Sequence, residues 1–175
     1  LRVLRGEAEE FPMKDSEGND RYVDLTIVDS GFVDKVIYTF CNESGPRYRP
    51  IKGYGTKQGQ KRYAPPQQKS KNKRPLFQCY VSKLSTGQLL WHINADYWKL
   101  FAQMRYLQDP ETNGSCSLFG MDPTKHRTFG NHIVSELFDA ESQKWEEQSK
   151  HNHFLDANAY ADCAAGMLGI RVPSW

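Results

Sequence analysis

Two carboxylates stand where chemistry could be done. Asp29 closes an apolar, β-rich run in "IVDSG", and Asp156 opens the small, apolar helical stretch of "HNHFLDANAYADCAAGML". Two acids brought face to face repel, and a hard divalent cation such as Mg²⁺ or Mn²⁺ relieves that repulsion through oxygen ligands. Two-ion hydrolysis of a phosphodiester uses this arrangement, one ion activating water and the other stabilising the leaving oxygen. Each acid also has a plainer reading. Asp29 suits a turn in which its side chain bonds back to the amides of Ser30 and Gly31. Asp156 suits a helix start, favoured by the macrodipole, with Asn152 as the cap.

Other chemistry is poorly supported. At 100° per residue, Asp156, Tyr160, Cys163 and Met167 share one helical stripe, and Ala157, Ala161, Ala164 and Leu168 form an adjacent one, both fit for burial. Asp162 points about 120° away from Asp156 and is expected in solvent, unable to share an ion with it. His151 and His153 make an HxH pair without a matching cysteine or histidine cluster, a weak zinc signature. Ser30 lacks the GxSxG surroundings of a nucleophile elbow. No GxxxxGKS phosphate loop is present, so no ATPase activity is expected. Cys41, Cys79, Cys116 and Cys163 form no CxxC pair and read as reduced, mostly buried thiols.

The net charge of +2 hides an asymmetry. Between Ser44 and Ala95 the chain carries eleven Lys or Arg and no Asp or Glu, so the rest is acidic, twelve against twenty-one. Ten of the eleven lie from Arg47 to Arg74, interleaved with Tyr48, Tyr54 and Tyr63, a composition suited to a polyanion. Lys57, Lys61, Arg62, Lys69, Lys71, Lys73 and Arg74 are the candidate DNA contacts; the alternative is a solvated loop. No apolar run reaches the ~18 residues of a membrane span, and the first residues lack the order of a secretion signal, so a soluble, intracellular protein is expected.

These residues need elements to position them. "LRVLRGEAEE" reads as helix, Val23 to Val28 as a strand covered on both faces, and "FVDKVIYTFC" as a helix with Val33, Val36, Ile37 and Phe40 on its buried face. "RYRPIKG" reads as a second strand. Residues 53–75 read as an irregular Gly- and Pro-rich basic loop. "PLFQCYVSK" and "QLLWHIN" read as two strands, with "LSTG" able to make a hairpin turn, and "ADYWKLFAQMRYL" as a helix buried through Tyr97, Leu100, Phe101, Met104 and Leu107. "CSLFG" is a short apolar run, "FGNHIVSELF" suits helix or strand, and the last stretch is a helix. The alternation implies one α/β domain over residues 1–175, a mixed sheet flanked by helices, with its site at carboxyl ends of strands.

The succession "IVDSGF…VIYTFC", "RPIKGYG", a basic Gly- and Pro-rich stretch and "NHFLDANAYADCAA" resembles the nuclease domain of large terminase subunits of tailed bacteriophages, in particular the lambda-like branch. The resemblance runs from Tyr22 onward, with residues 96–148 matching in element order alone. It implies an RNase H-like fold, an acidic cluster holding two Mg²⁺ or Mn²⁺ ions, and cutting of concatemeric double-stranded DNA during genome packaging in the host bacterial cytoplasm. The implied partners are the small terminase subunit and the portal protein. Asp29 and Asp156 match catalytic, metal-binding acids of the family, and Lys52 matches a lysine near the cleft, assigned here to a backbone phosphate.

One departure bears on activity. Relatives open this domain with a strand of the type "GVDVQ", whose Asp bridges both ions, and residues 1–21 resemble the segment after that strand. The expectation is an amino-terminally truncated domain with little or no nuclease activity of its own; the alternative is that Asp24 or Asp34 has taken over as third acid. Rival readings are a DNA-binding module that does not cut and another RNase H-like nuclease of the resolvase or integrase type. All of them share one prediction. Phosphate contacts dominate, so DNA affinity should fall steeply as salt rises from about 50 to 200 mM, and a binding titration indifferent to salt contradicts every one of these readings.

Overall fold

The computed structural model describes residues 1–56, 61–66 and 73–170. In chain order the elements are α1 (Arg2–Glu10), β1 (Met13–Lys14), β2 (Asp20–Arg21), β3 (Thr26–Asp29), α2 (Asp34–Ser44), β4 (Tyr48–Tyr54), β5 (Lys73–Leu76), β6 (Cys79–Lys83) and β7 (Leu89–Asn94). There follow α3 (Ala95–Leu107), a 3₁₀ turn (Pro123–His126), α4 (Arg127–Ile133), β8 (Glu136–Asp139), β9 (Lys144–Glu147) and α5 (His153–Met167). Five strands form the main sheet in the order β3-β4-β7-β6-β5, and β1-β2 and β8-β9 are separate two-stranded ribbons. Strands β3, β4 and β7 run parallel, whereas β6 is antiparallel to β7 and β5 to β6. The mixed sheet expected from the alternation of elements is present.

Side chains alternate across a strand, so the register assigns each residue to a face. Ile27, Ile51, Trp91, Ile93 and Cys79 turn to one side, where they pack with Trp98 of α3 and Ala159 and Cys163 of α5. Val28 and Tyr48 turn to the other, where Ile37, Phe40 and Cys41 of α2 cover them. Helices therefore lie on both faces. Asp29 shares the parity of Ile27 and belongs to the α3/α5 side.

Several elements differ from expectation. The first strand starts only at Thr26. In α2 the buried stripe is Ile37, Phe40 and Cys41, while Val33 and Val36 are exposed. "PLFQCYVSK" is two strands, broken at Phe77 and Gln78; Gln78 holds a left-handed φ of 51° while its carbonyl accepts the Asn94 amide. Lys73 to Leu76 thus belongs to the sheet rather than to the basic loop, although the hairpin expected at "LSTG" is present between β6 and β7. "FGNHIVSELF" is both helix and strand, α4 followed by β8. "CSLFG" forms no regular element, with Leu118 and Phe119 exposed.

In α3 the buried residues are Ala95, Trp98, Lys99 and Ala102, and Leu100 and Leu107 face outward. Tyr97 and Phe101 of the expected stripe pack against the core cluster, but the most deeply buried face is centred on Trp98, flanked by two alanines and one lysine. In α5 the buried set is Leu155, Ala159, Cys163 and Ala164, while Ala157, Ala161 and Leu168 of the expected second stripe are exposed. All four cysteines are free thiols, three of them buried.

The two helices approach closely at Gly166, where a Cβ would stand 2.8 Å from Cη2 of the Trp98 indole. Trp98 is itself 3% exposed and has no room to retreat. Gly166→Ala should therefore destabilise the fold by about 1–3 kcal/mol despite the better helix propensity of alanine. A melting temperature equal to or above that of the parent would show that the α3–α5 seam tolerates separation.

Candidate active site

The turn after β3 is pinned before it presents its acid. Ser30 is buried, and both its amide and its hydroxyl donate to the Ile51 carbonyl of β4, at 2.9 and 2.7 Å. Asp29 then turns outward, and its Oδ1 accepts the Gly31 amide at 2.9 Å. This is the back-bond of the turn reading. It uses one oxygen only; Oδ2 accepts the hydroxyl of Tyr160 at 3.3 Å. A Cβ at residue 31 would stand 3.3 Å from Oδ1, so glycine suits the position.

The docking of α5 brings Tyr160 to Asp29 and sets Asp156 one turn before it on the same helix face. Leu155 and Ala159 are fully buried and fix the rotation of the helix, which leaves Asp156 at the margin of the core with its side chain 30% exposed. Tyr160, one turn later, packs against the core cluster. A Cβ on Gly53 of β4 would stand 3.3 Å from its hydroxyl, so the strand runs close beneath it. The Tyr160 phenol is held well above its ordinary pKa, first by burial and then by the charges of Asp29 and Asp156. That hydroxyl touches Asp29 and feels the charge of both acids.

A buried cation holds Asp156 from the other side. The Lys99 ammonium lies 2.9 Å from Asp156 Oδ1 and 2.6 Å from Glu136 Oε2, with the Lys99 side chain 11% and that of Glu136 1% exposed. Glu136 Oε1 accepts Asn152 Nδ2 at 2.8 Å. Asn152 occupies the N-cap position of α5 as expected, yet its side chain makes no cap bond because Glu136 takes it.

Asp162 is not in solvent. It pairs with Arg105 of α3 and is raised above the usual carboxylate range by burial, against the pull of that arginine. The helical angle that separates it from Asp156 turns it towards α3 rather than towards water. His151 and His153 have a companion in His132, with ring centroids 5.9 and 6.1 Å away. Among the described residues, however, no group of three His, Cys, Asp or Glu is arranged to hold a metal.

Lys52 separates from Asp29. Lys52 is exposed on β4 beside Ile51, and the strand's alternation directs it to the face opposite Asp29. Lys61 and Arg62 are exposed, and neighbouring Tyr63 packs on Tyr80 at 5.9 Å. Lys57, Lys69 and Lys71 lie outside the described residues, and of Lys73 and Arg74 only the strand is described.

Sequence reasoning gave no role to Tyr160, Lys99 or Glu136. A signal existed for Lys99: it stands among Ala95, Trp98 and Ala102 at helical spacing, a stripe visible once alanines count as buried. Glu136 in "SELF" carried none.

A family model described as the terminase large subunit gpA endonuclease domain matches residues 7–175. No curated protein and no solved structure matches the chain. The mixed sheet with helices on both faces is an RNase H-like α/β nuclease architecture. The chain belongs to the family of terminase large subunit endonuclease domains. DNA is the substrate class of that family, and its members act within a packaging complex. No helix among the described residues is long and apolar enough to cross a membrane.

The Tyr160 hydroxyl makes alkaline stability a test of the site. Its folded pKa is raised, so the stability of the protonated phenol is fully present below about pH 10, the unfolded value, and is lost as pH rises beyond it. Tyr160→Phe should flatten the fall in melting temperature between about pH 10 and 12. Parallel curves for the two proteins contradict the burial of this hydroxyl beside Asp29.

Proposed function

We propose that this chain is the nuclease domain of a divalent-metal-dependent DNA endonuclease, which in the intact subunit cuts concatemeric DNA during genome packaging in the host cytoplasm and which has little or no activity as this chain alone. One observation carries the reading: the strand-end acid Asp29 accepts the hydroxyl of Tyr160, which stands one turn from the helix-start acid Asp156 on the same face of α5. The donor chemistry fits Mg²⁺ or Mn²⁺, which bind hard oxygens and are commonly held by one or two carboxylates completed by water and substrate phosphates. Asp29 and Asp156 would hold the ion; when bound it supplies a Lewis acid and lowers the pKa of a coordinated water.

The chain's own residues have distinct tasks in this reading. The Gly31 amide and Tyr160 hydroxyl orient the two oxygens of Asp29. Lys61 and Arg62, with Lys57, Lys69, Lys71, Lys73 and Arg74, grip backbone phosphates as point charges or forks, which positions a duplex without reading its sequence. Lys52, on the opposite sheet face, serves a phosphate on the flank rather than one between the acids. The small terminase subunit and the portal protein are the partners that family membership suggests.

Crystals soaked in Mn²⁺ should show an ion in contact with both Asp29 and Asp156. In the intact terminase subunit, Asp156→Asn should lower plasmid cleavage at least about 100-fold, or ~2.7 kcal/mol. An absent ion together with undiminished DNA binding favours a module that grips DNA without cutting it.

A further inference from the structure

We propose that Lys99 is a positioning residue for the metal site, an internal cation that Glu136 anchors and that holds Asp156 by one oxygen. The inference rests on the reading of Asp156 as a metal ligand. Lysine is rarely buried unless paired, and Lys99 is paired twice, on Glu136 Oε2 and Asp156 Oδ1. Glu136, more deeply buried than either partner, is tied in turn through Asn152 to the residue that opens α5. Three elements, α3, β8 and the start of α5, thus converge on one carboxylate.

The consequence is a division of labour between the oxygens of Asp156. Oδ1 is engaged with the ammonium at 2.9 Å; Oδ2 accepts no hydrogen bond among the described residues and is the oxygen available to a ligand. A carboxylate held this way presents Oδ2 in one orientation instead of several. Partners of metal-binding groups typically change metal affinity 10–100-fold when removed. The opposite expectation comes from Coulomb's law alone, since deleting a positive charge near a cation site should tighten binding. The sign of the change therefore separates positioning from simple charge balance.

The test uses Mn²⁺ titrations followed by electron paramagnetic resonance on the whole chain and its variants Asp156→Asn, Glu136→Gln and Lys99→Met/Glu136→Gln. Removing Lys99 alone would strand a buried carboxylate, so the double variant removes both charges together and preserves the fold. The glutamine side chain of Glu136→Gln keeps a carbonyl oxygen for the Asn152 amide. With melting temperatures close to that of the parent, the double variant should bind Mn²⁺ at least about 10-fold more weakly and Glu136→Gln about 3-fold more weakly. Equal or tighter binding by the folded double variant, while Asp156→Asn abolishes binding, overturns the positioning role and leaves the metal site standing. If the double variant fails to fold, unchanged affinity in Glu136→Gln overturns it. Mn²⁺ binding insensitive to Asp156→Asn removes the metal site itself, and the role of Lys99 with it.

Discussion

The docking of α5 on the sheet governs where charge can gather in this protein. Leu155, Ala159 and Cys163 are fully buried, and Gly166 lets the helix lie against the Trp98 indole. That face offers little freedom of rotation, because each of its small residues meets a close neighbour. Asp156 follows Leu155 directly, so the rotation that buries the leucine carries the acid to the edge of the core. Burying a lone charge there is costly, and the fold offsets it with the Lys99 ammonium, itself balanced by Glu136.

The sheet contributes the second acid by a similar constraint. β3 ends at Asp29 opposite Ile51 while parallel β4 runs on to Tyr54, and Ser30 bonds twice to the carbonyl of Ile51, which anchors the turn that carries Asp29. Period-two alternation then decides the face: Asp29 looks towards α5 and Tyr160, and Lys52 looks away. The split has an electrostatic sense. Cations near the carboxylates other than Lys99 would compete with a metal, whereas cations on the flanks attract the phosphates of a duplex without neutralising the site. DNA is the substrate class of the terminase endonuclease domains, the family to which the chain belongs.

Strong local patterns were legible in the sequence. The β-rich run before Asp29, the turn at "DSG", the helix opened by Asp156 and the mixed sheet follow from residue types a few positions apart. The acid-free basic stretch was equally plain, as was its resemblance to a nuclease. Faces were less legible. In α2 and α3 the expected stripes found Ile37, Phe40, Tyr97 and Phe101 but not Cys41, Ala95, Trp98, Lys99 and Ala102, which complete the packed faces.

The information that the sequence determined by itself is therefore local: which segments extend, which coil, and which carry an acid at their end, because turn chemistry and hydrophobic period act over a few residues. Tertiary structure alone decided that Glu136 and Asp156 meet on one lysine, that Tyr160 reaches Asp29, and that Asp162 turns to Arg105. These contacts join residues distant in the chain, and no propensity distinguishes a lysine that faces water from one held between two carboxylates. Only the packing that removes water from around it does so.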